Sequence, residues 1–318
     1  VHIDGDGFMS IAERPTRPFN GQVMLDDFFK RYQIPTTVSV IEGEVSATGL
    51  YPDIAPQLEK IARDIYALPW TELASHSYSH PFYWSKAESA EHGDDYEAYH
   101  LPIKNYKYNS EREISGSINY INQTLAPKNK QVKVFLWTGN CVATPDALDE
   151  TVKAGVLNMN GGDTTITHSN NSWTRIAGLG LKKGNHFQVF APNQNENVYT
   201  NLWTGPFYGF ERVIETYQLT DSPYRFKPIN IYYHSYLVSK TAGANSLHKI
   251  YQWALKQPVF PIYSSEYIKK VLDFNDFVIA RTPEGYRFRG NGDLKTVRWT
   301  DEKNHINFAD SPQVAGIN

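Results

Sequence analysis

The chain opens on the stretch Val1-His2-Ile3-Asp4-Gly5-Asp6-Gly7, where a short apolar run ends in two carboxylates separated by one glycine. Ligands bind at strand ends in α/β domains, and glycine lets the backbone turn there and approach a ligand closely. On an extended strand Asp4 and Asp6 share one face, and two close carboxylates need a metal or a proton between them. An ordinary Asp-Gly turn competes with this interpretation, because both residue types are common in turns.

Outward from this stretch, short apolar runs typical of buried parallel strands alternate with helical patterns to about residue 275. The predicted strands are 1–4, 36–41, 73–76, 132–137, 187–190, 229–233 and 259–262, and the predicted helices are 23–31, 52–68, 111–125 and 146–154. A charged stretch at 86–99 is expected to form a surface loop. The alternation predicts an α/β fold, either a distorted (β/α) barrel or a layered domain.

The pattern changes after residue 275. Short alternating runs at 277–280, 286–288 and 297–299 are broken by glycine and asparagine, which predicts a β-rich segment like the opening hairpins of a sandwich. We therefore expect a catalytic domain over residues 1–275 and part of a further domain over 276–318. Because the sequence starts in a strand without Met or a leader pattern, we also expect a fragment of a longer multidomain chain.

Two histidines four residues apart follow the third predicted strand, in Ser75-His76-Ser77-Tyr78-Ser79-His80-Pro81. At this spacing both imidazoles can reach one metal from a single turn, although an isolated pair is as often only solvated or hydrogen bonded. Together with Asp6, the pair makes a set of two histidines and one carboxylate, which leaves metal positions open for water and substrate. Such a set favours a divalent transition metal, with zinc as the default.

A third histidine, His234, ends a late predicted strand after Tyr232 and Tyr233. If the strands are parallel, His234 lies at the same edge of the sheet as Asp4 and His76. Histidine is the side chain best matched to proton transfer near neutral pH, so His234 is a candidate acid or base. A lone histidine at a strand end is more often structural, and that alternative stays open.

Composition limits the partners that this chain can have. The net charge of −3, with both signs interspersed, gives no basic surface for nucleic acid or anionic membranes. No apolar stretch approaches the ~20 residues of a membrane helix, so membrane insertion is not expected. Aromatic residues make up 14% of the chain, and such rings can stack on sugar faces as well as fill a core. The single cysteine, Cys141, excludes an internal disulfide.

Taken together, the Asp-Gly-Asp stretch, the His-Ser-x-x-His motif at 76–80 and the aromatic-aromatic-His motif at 232–234 resemble carbohydrate esterase family four polysaccharide deacetylases. Within that family, the chain is most similar over residues 1–275 to the deacetylase domains that modify the Pel exopolysaccharide of biofilms. The resemblance implies a distorted barrel that removes acetyl groups from N-acetylglucosamine or N-acetylgalactosamine units. It also implies a periplasmic setting and an exopolysaccharide export complex as partner.

The resemblance also implies roles for particular residues. Asp6, His76 and His80 would bind the metal, Asp4 would be the general base and His234 the general acid. Ser77 would brace the histidine loop. The residues that would line the sugar groove are Trp137, Asn140, Tyr83, Trp84 and Tyr208, of which the last three, with Phe82, could equally be core.

Two departures from the family pattern matter. The two aspartates are normally adjacent, whereas Gly5 separates them here, and the arginine that normally orients the base is absent from 136–140. Asn140 or Arg212 could take over that orientation. Asp163, after two glycines, is the candidate for the family's aspartate beside the acid histidine, although Gly-Gly-Asp is also an ordinary turn.

Three other functions compete with the deacetylase interpretation. A haloacid dehalogenase-type phosphohydrolase also carries an Asp-x-Asp loop after a strand, but it would leave His76 and His80 without a role. A glycan-binding module could keep the fold without turnover, since function depends on the site and not on the fold. A glycosidase would need a second carboxylate at a defined separation, and no sequence pattern marks one.

Overall fold

The computed structural model describes residues 1–89, 99–298 and 306–315. Its contacts divide the chain into two compact units, Val1–Leu272 and Asp273–Asn318. In the described residues, no helix is both long and apolar enough to cross a membrane.

The first unit is built on one eight-stranded sheet in the order β6-β7-β5-β4-β3-β2-β1-β8. The strands are β1 (His2–Asp4), β2 (Thr36–Val40), β3 (Thr71–Ser75), β4 (Val132–Leu136), β5 (Leu157–Met159), β6 (Gly180–Lys183), β7 (His186–Val189) and β8 (Tyr232–His234). All neighbouring strands are parallel except β6 and β7, which form an antiparallel pair. Over the described ranges no pairing joins β6 to β8, so the sheet is open there.

Helices connect the strands, as parallel pairing requires. They are α1 (Asn20–Val23), α2 (Lys30–Tyr32), α3 (Glu42–Val45), α4 (Ala55–Ala67), α5 (Trp84–Ser89), α6 (Ser117–Tyr120), α7 (Pro145–Lys153), α8 (Glu196–Tyr199), α9 (Val213–Leu219), α10 (Thr241–Ala254) and α11 (Ser264–Asp276). A π-helical turn, Met24–Phe29, joins α1 to α2, and two more, Arg112–Gly116 and Ile121–Leu125, flank α6. Short 3-10 turns lie at Trp173–Arg175, Gly209–Arg212, Ser235–Ser239 and Phe308–Asp310.

Both faces of the sheet are buried. Along β4, Phe135 belongs to the large core shared with the connecting helices, whereas Val134 and Leu136 belong to a second, smaller core. Ile268 and Val271 of α11 complete that smaller core. Burial on both sides explains why the strands read as continuous apolar runs, which is typical of parallel sheets.

One predicted strand is wrong. Residues 259–262 form no strand, and Phe260 is 89% exposed. Pro258 and Pro261 remove backbone N–H donors in this stretch, so it cannot take part in a regular ladder. The predicted strands also omit β5 and β6, and in β6 the residues Leu181 and Lys182 are exposed. Of the predicted loop at 86–99, α5 occupies the first residues, and 90–98 lie outside the described residues.

The second unit contains a β-hairpin of β9 (Val278–Thr282) and β10 (Gly285–Arg289), which pair antiparallel. The predicted runs at 277–280 and 286–288 fall on these two strands. The run predicted at 297–299 is not a strand at 297–298, and Trp299 lies outside the described residues. The carboxylate of Asp273 accepts backbone N–H groups of Asn291, Asp293 and Leu294, which holds the segment after β10 within this unit.

Candidate metal centre

The parallel strands bring their carboxyl ends to one edge of the sheet. Asp4 and His234 are the last residues of β1 and β8, which pair directly, and His76 follows β3. A cavity of about 620 Å³ opens at this edge. The cavity is lined by all six residues predicted as catalytic or metal-binding: Asp4, Asp6, His76, His80, Asp163 and His234.

Asp6, His76 and His80 form a cluster that could hold a metal ion, with one donor atom from each lying within 4.8 Å of the others. Nε2 of His76 is 3.0 Å from Oδ2 of Asp6, and Nε2 of His80 is 2.9 Å from Oδ1. Two nitrogen donors and one oxygen donor suit zinc and neighbouring transition metals better than magnesium or calcium.

The orientation of His76 tests whether these donors fit a metal. Nδ1 of His76 lies 2.9 Å from the carbonyl oxygen of Leu136, so Nδ1 carries the proton and donates it to that oxygen. In the neutral ring the lone pair of Nε2 then points at the carboxylate of Asp6. Two lone pairs at 3.0 Å repel each other unless a cation lies between them, and metal-binding histidines commonly have this backbone partner. The donor set therefore fits a divalent cation.

The ionisable groups of the cluster shift one another's pKa values. Burial alone would raise the pKa of Asp6, but the charges of His80 and His234 outweigh it and hold that pKa well below its usual range. Burial lowers the pKa of His76, yet the carboxylates of Asp4 and Asp6 leave it above its ordinary value. Burial and the charge of Asp6 also raise the pKa of the Glu44 carboxyl to about 8. Asp6 and the histidines around it therefore stabilise each other's charged forms.

The loop that carries the two histidines has an unusual backbone. Ser77 and His80 have φ values of 65° and 54°, which non-glycine residues rarely adopt. Oγ of Ser77 accepts the backbone N–H of His80 at 2.9 Å, as the resemblance implies. The buried carboxylate of Glu113 accepts the backbone N–H groups of Tyr78 and Ser79 at 3.0 and 2.8 Å.

Asp4 is held by two side chains that the sequence analysis did not single out for this role. Nδ2 of Asn160 lies 3.1 Å from both carboxylate oxygens, and the hydroxyl of Tyr232 donates to Oδ2 at 2.7 Å. Asn160 follows β5 and is fully buried, while Tyr232 lies on β8, the neighbour of β1. These two donors orient the carboxylate of Asp4.

Asn140 and Arg212, which the sequence suggested for orienting Asp4, form other contacts. The side chain of Asn140 lines the cavity, but its Oδ1 accepts the backbone N–H of Val142. Arg212 lies at the surface, where it contacts Ser169 and Glu215, and it does not line the cavity. Both assignments are therefore corrected, because neither side chain contacts the carboxylate.

His234 has a buried carboxylate partner. Nδ1 of His234 donates to Oε1 of Glu196 at 2.7 Å, and the backbone N–H of His234 donates to the same carboxylate at 3.1 Å. Nε2 faces the cavity, 3.8 Å from Asp4 and 4.0 Å from Asp6. Although burial lowers it, the charges of Glu196 and Asp6 raise the pKa of His234 to about 10. The ring of Tyr236 stacks on the imidazole at 4.8 Å.

Asp163 is not the carboxylate beside His234. It lines the cavity, but it is exposed and its Oδ1 accepts a hydrogen bond from Gln194 at 2.8 Å. Glu196 takes that position because Asn195 caps α8 and places the glutamate at its first residue, under His234. Asparagine is a common residue at the start of a helix, so Asn195 is a visible signal for this cap. No sequence pattern, however, links Glu196 to His234, which lies 38 residues later.

Only two of the five residues predicted to line the sugar groove lie at the cavity. Trp137 and Asn140 line the cavity. Trp84 is fully buried and packs edge-on against Trp137 at 5.0 Å, so it belongs to the core. Tyr83 and Tyr208 are 43% and 59% exposed and are not among the described residues that line the cavity.

Comparison with known proteins places the chain by fold only. No protein-family model and no curated protein sequence matches it. Among solved structures it is similar to the crystal structure of 4-alpha-glucanotransferase from Thermococcus litoralis, with a TM-score of 0.51 and 12% sequence identity. The match covers 85% of this chain and 39% of that one, so this chain spans well under half of its length. The similarity is consistent with the distorted barrel predicted from the sequence.

Proposed function

We propose that this chain is a metal-dependent N-deacetylase with the distorted barrel of the polysaccharide deacetylases, acting on an acetylated amino-sugar exopolysaccharide. The observation that carries the proposal is the convergence of a metal-binding triad, a held carboxylate and a carboxylate-paired histidine in one cavity. Amide hydrolysis at neutral pH needs an electrophilic activator, a base for water and a proton for the departing nitrogen. Each role has a residue here.

Asp6, His76 and His80 are the residues that would hold the metal. A divalent ion there, zinc by its donor set, supplies Lewis-acid polarisation of the acetamide carbonyl. His76 is prepared for this role because its Nδ1–H is committed to Leu136, which leaves Nε2 as the donor atom. His80 is held by the hydrogen bond from its backbone N–H to Ser77.

Asp4 is the base that removes a proton from the attacking water. Its carboxylate lines the cavity and accepts hydrogen bonds from Asn160 and Tyr232, which fix its orientation. Because the carboxylate is buried and held from behind, it does not need to reorient when the water approaches.

His234 is the acid that gives a proton to the departing nitrogen. Its Nε2 faces the cavity from the side opposite the bond to Glu196, and the raised pKa keeps the imidazole protonated at neutral pH. Glu196 stabilises that cation in the way a buried carboxylate orients a catalytic histidine elsewhere. The stacked ring of Tyr236 limits rotation of the imidazole.

The substrate class follows from the cavity and from the sequence resemblance. Tyr236 lines the cavity beside the metal cluster, and a cavity of about 620 Å³ has room for a sugar unit of a longer chain. N-acetylglucosamine and N-acetylgalactosamine polymers both fit this description. A periplasmic setting and an export complex as partner belong to the same proposal.

Acetate release from partially acetylated glucosamine and galactosamine oligomers tests the proposal. The wild-type chain should release acetate with Zn²⁺ and lose that activity with a chelator. We expect His76→Ala and Asp4→Asn to lower kcat at least ~100-fold, since they remove a metal ligand and the base. Asp149→Asn, a surface carboxylate paired with His186, is the matched control that should keep activity.

Absence of acetate release with every divalent metal, from a folded protein that still binds the oligomers, would contradict the proposal. That result would favour the glycan-binding alternative. Loss of activity in Asp149→Asn equal to that in Asp4→Asn would show that the effect is not specific to the cavity.

A further inference from the structure

His2 is a buried polar residue that does not line the cavity. It lies on β1 two residues before Asp4, and its side chain is fully buried. Its Nε2 is 3.1 Å from Oδ1 of Asn160, and its Nδ1 is 3.2 Å from Oδ1 of Asn230. An apolar ring would fill this space without the cost of burying two polar nitrogens, so the hydrogen bonds of His2 require an explanation.

The contacts of Asn160 determine which nitrogen of His2 carries the proton. Nδ2 of Asn160 points at two acceptors, the carboxylate of Asp4 and the carbonyl oxygen of Trp137 at 3.0 Å. Neither acceptor can donate, so the amide must present its N–H₂ to them and its Oδ1 to His2. Oδ1 needs a donor, and Nε2 of His2 is therefore the protonated nitrogen.

Asn230 completes the chain of hydrogen bonds. In the neutral ring Nδ1 of His2 is an acceptor, so it should meet an N–H and not the oxygen of Asn230. Nδ2 of Asn230 is buried without a partner among the described residues. A 180° rotation of this amide places Nδ2 on Nδ1 of His2, which gives both nitrogens a partner and moves Oδ1 to the position that Nδ2 leaves. Donation then runs in one direction, from Asn230 through His2 and Asn160 to Asp4.

His2 also contacts the second donor to Asp4. Its ring stacks on that of Tyr232 with centroids 4.0 Å apart and an interplanar angle of 23°. Tyr232 is the residue whose hydroxyl donates to Oδ2 of Asp4 at 2.7 Å. One side chain therefore touches both groups that hold the carboxylate.

The backbone alone does not fix Asn160. Its φ is 110°, and it is followed by Gly161 and Gly162, whose φ values of 91° and 78° are also positive. Without the N–H of His2, this amide would be oriented only by its two acceptors, the carboxylate of Asp4 and the carbonyl oxygen of Trp137. A turned amide would set its oxygen against Asp4, and two acceptors would repel.

We propose that His2 is a positioning residue which fixes the amide of Asn160, and the ring of Tyr232, so that both donate to the base Asp4. The proposal rests on the function proposed above, because it gives Asp4 the role of base. It adds a residue outside the cavity whose hydrogen-bond direction, and not only its volume, is required for turnover.

His2→Phe is the decisive variant, because phenylalanine keeps the stacking on Tyr232 and removes the N–H to Asn160. We expect kcat to fall about tenfold or more while KM changes less than about twofold, since the base is disturbed and not the sugar groove. Zn²⁺ affinity, measured by titration calorimetry, should stay within about twofold, because His2 contacts no metal-binding residue in the described structure.

Two further variants separate hydrogen bonding from packing. His2→Gln supplies an amide N–H and should retain more of the wild-type kcat than His2→Phe, although it packs less well on Tyr232. His248→Phe is the matched control, because His248 is also a stacked histidine with a hydrogen bond, but its partners in the described structure are Phe28 and Tyr32 and not Asn160 or Tyr232. It should leave kcat unchanged. If His2→Phe retains wild-type kcat, or His2→Gln is no better than His2→Phe, the proposal is wrong.

A measurement independent of activity separates this inference from the proposed function. Nitrogen-15 NMR of the ring of His2 should show the neutral tautomer with the proton on Nε2 at pH 7. Observation of the Nδ1–H tautomer, or of a cationic ring, would overturn the inference even in an active enzyme. Conversely, if the wild type releases no acetate, the proposed function fails while the NMR result still decides whether the hydrogen-bond chain exists.

Discussion

His234 and Glu196 form the shortest ion pair of any cavity histidine in the described residues, with 2.7 Å between Nδ1 and Oε1. An acid must be protonated to act, and the raised pKa of about 10 keeps His234 protonated through neutral pH. In Glu196→Gln the largest charge that raises this pKa is lost. We expect the alkaline limb of the pH–rate profile to move to lower pH, with kcat at pH 9 lowered about tenfold or more.

Glu215→Gln is the control for that substitution. Glu215 also accepts a backbone N–H, from His168 at 2.8 Å, but it lies outside the cavity. Its replacement should leave the pH–rate profile in place. An unchanged alkaline limb in Glu196→Gln would mean that His234 does not supply the proton.

The metal cluster makes a prediction about stability that does not depend on turnover. Zn²⁺ that binds only the folded chain should add about 2.7 kcal/mol to the free energy of unfolding when free metal is 100 times its Kd. His80→Ala should abolish this gain, whereas His186→Ala, which removes a histidine outside the cluster, should keep it. Thermal unfolding with and without Zn²⁺ measures both. Equal gains in the two variants would contradict the assigned ligands.

The sequence predicted the site residues that end strands, but it did not predict Glu196 or the role of Asn160. Asp4, His76 and His234 were predicted because a strand that ends in a polar residue is visible in the apolar pattern. Glu196 was missed because the path of the loop between β7 and α8 depends on tertiary packing. Asn160 directly precedes the two glycines before Asp163, but only the structure shows that its amide contacts the carboxylate of Asp4.

At the scale of elements, the loop with the two histidines depends on the π-helical turn Arg112–Gly116 beside it. Glu113 in that turn accepts the N–H groups of Tyr78 and Ser79, and Arg112 forms a two-point ion pair with Glu42. The loop holds two non-glycine residues at positive φ, each of which costs on the order of 1–3 kcal/mol unless neighbouring contacts hold it.

We therefore expect Glu113→Ala to weaken Zn²⁺ binding about 10- to 100-fold, because the histidines lose their preset arrangement. Glu150→Ala is the matched control, since Glu150 accepts from Ser115 of the same turn but contacts no residue of the loop in the described structure. Calorimetric titration of the two purified variants measures the difference. Wild-type affinity in Glu113→Ala would show that the loop keeps its shape without this carboxylate.

Helices with complete local signals were predicted well, and elements defined by their neighbours were not. For α7 the sequence carries its own start, because Thr144 accepts the N–H of Ala147 and Pro145 occupies the first turn. By contrast, β6 has exposed side chains and exists because it pairs with β7. The run at 259–262 shows the opposite error, since apolar content suggested a strand where prolines prevent pairing.

At the scale of the whole molecule, His2 couples stability to pH. Burial lowers its pKa from 6.5 to about 4, although the charge of Asp4 opposes the shift. Below pH 6.5 the unfolded chain takes up a proton at this residue that the folded chain does not, so stability is complete above 6.5 and is lost as pH falls toward 4. The loss attributable to His2 is on the order of 3 kcal/mol.

Urea unfolding between pH 7 and pH 4 measures this loss. As pH falls, the wild type should lose stability more steeply than His2→Phe, because the variant has no group to titrate at this position. Parallel curves for the two proteins would show that His2 does not titrate differently in the folded and unfolded states.

The α/β character of the whole chain was predictable because strands and helices alternate in the sequence. The order of the strands was not, since no local pattern says that β1 lies between β2 and β8. The role of α11 was equally hidden: Ile268 and Val271 cover the second face of the sheet, opposite the connecting helices. Contacts of this kind join residues far apart in sequence, and a single sequence gives no direct signal for them.

Because β1 pairs with β8, the two parts of the site are synthesised at different times. Asp4 and the tyrosine that donates to it are 228 residues apart, which a ribosome covers in roughly 10–50 s at about 5–20 residues per second. During that interval one edge of β1 has no partner, and neither the proton donor His234 nor the stacked ring against His2 has yet been made. If the chain has the proposed function, it cannot act on amides before His234 has emerged, and a chaperone that protects the edge of β1 would have to act before then.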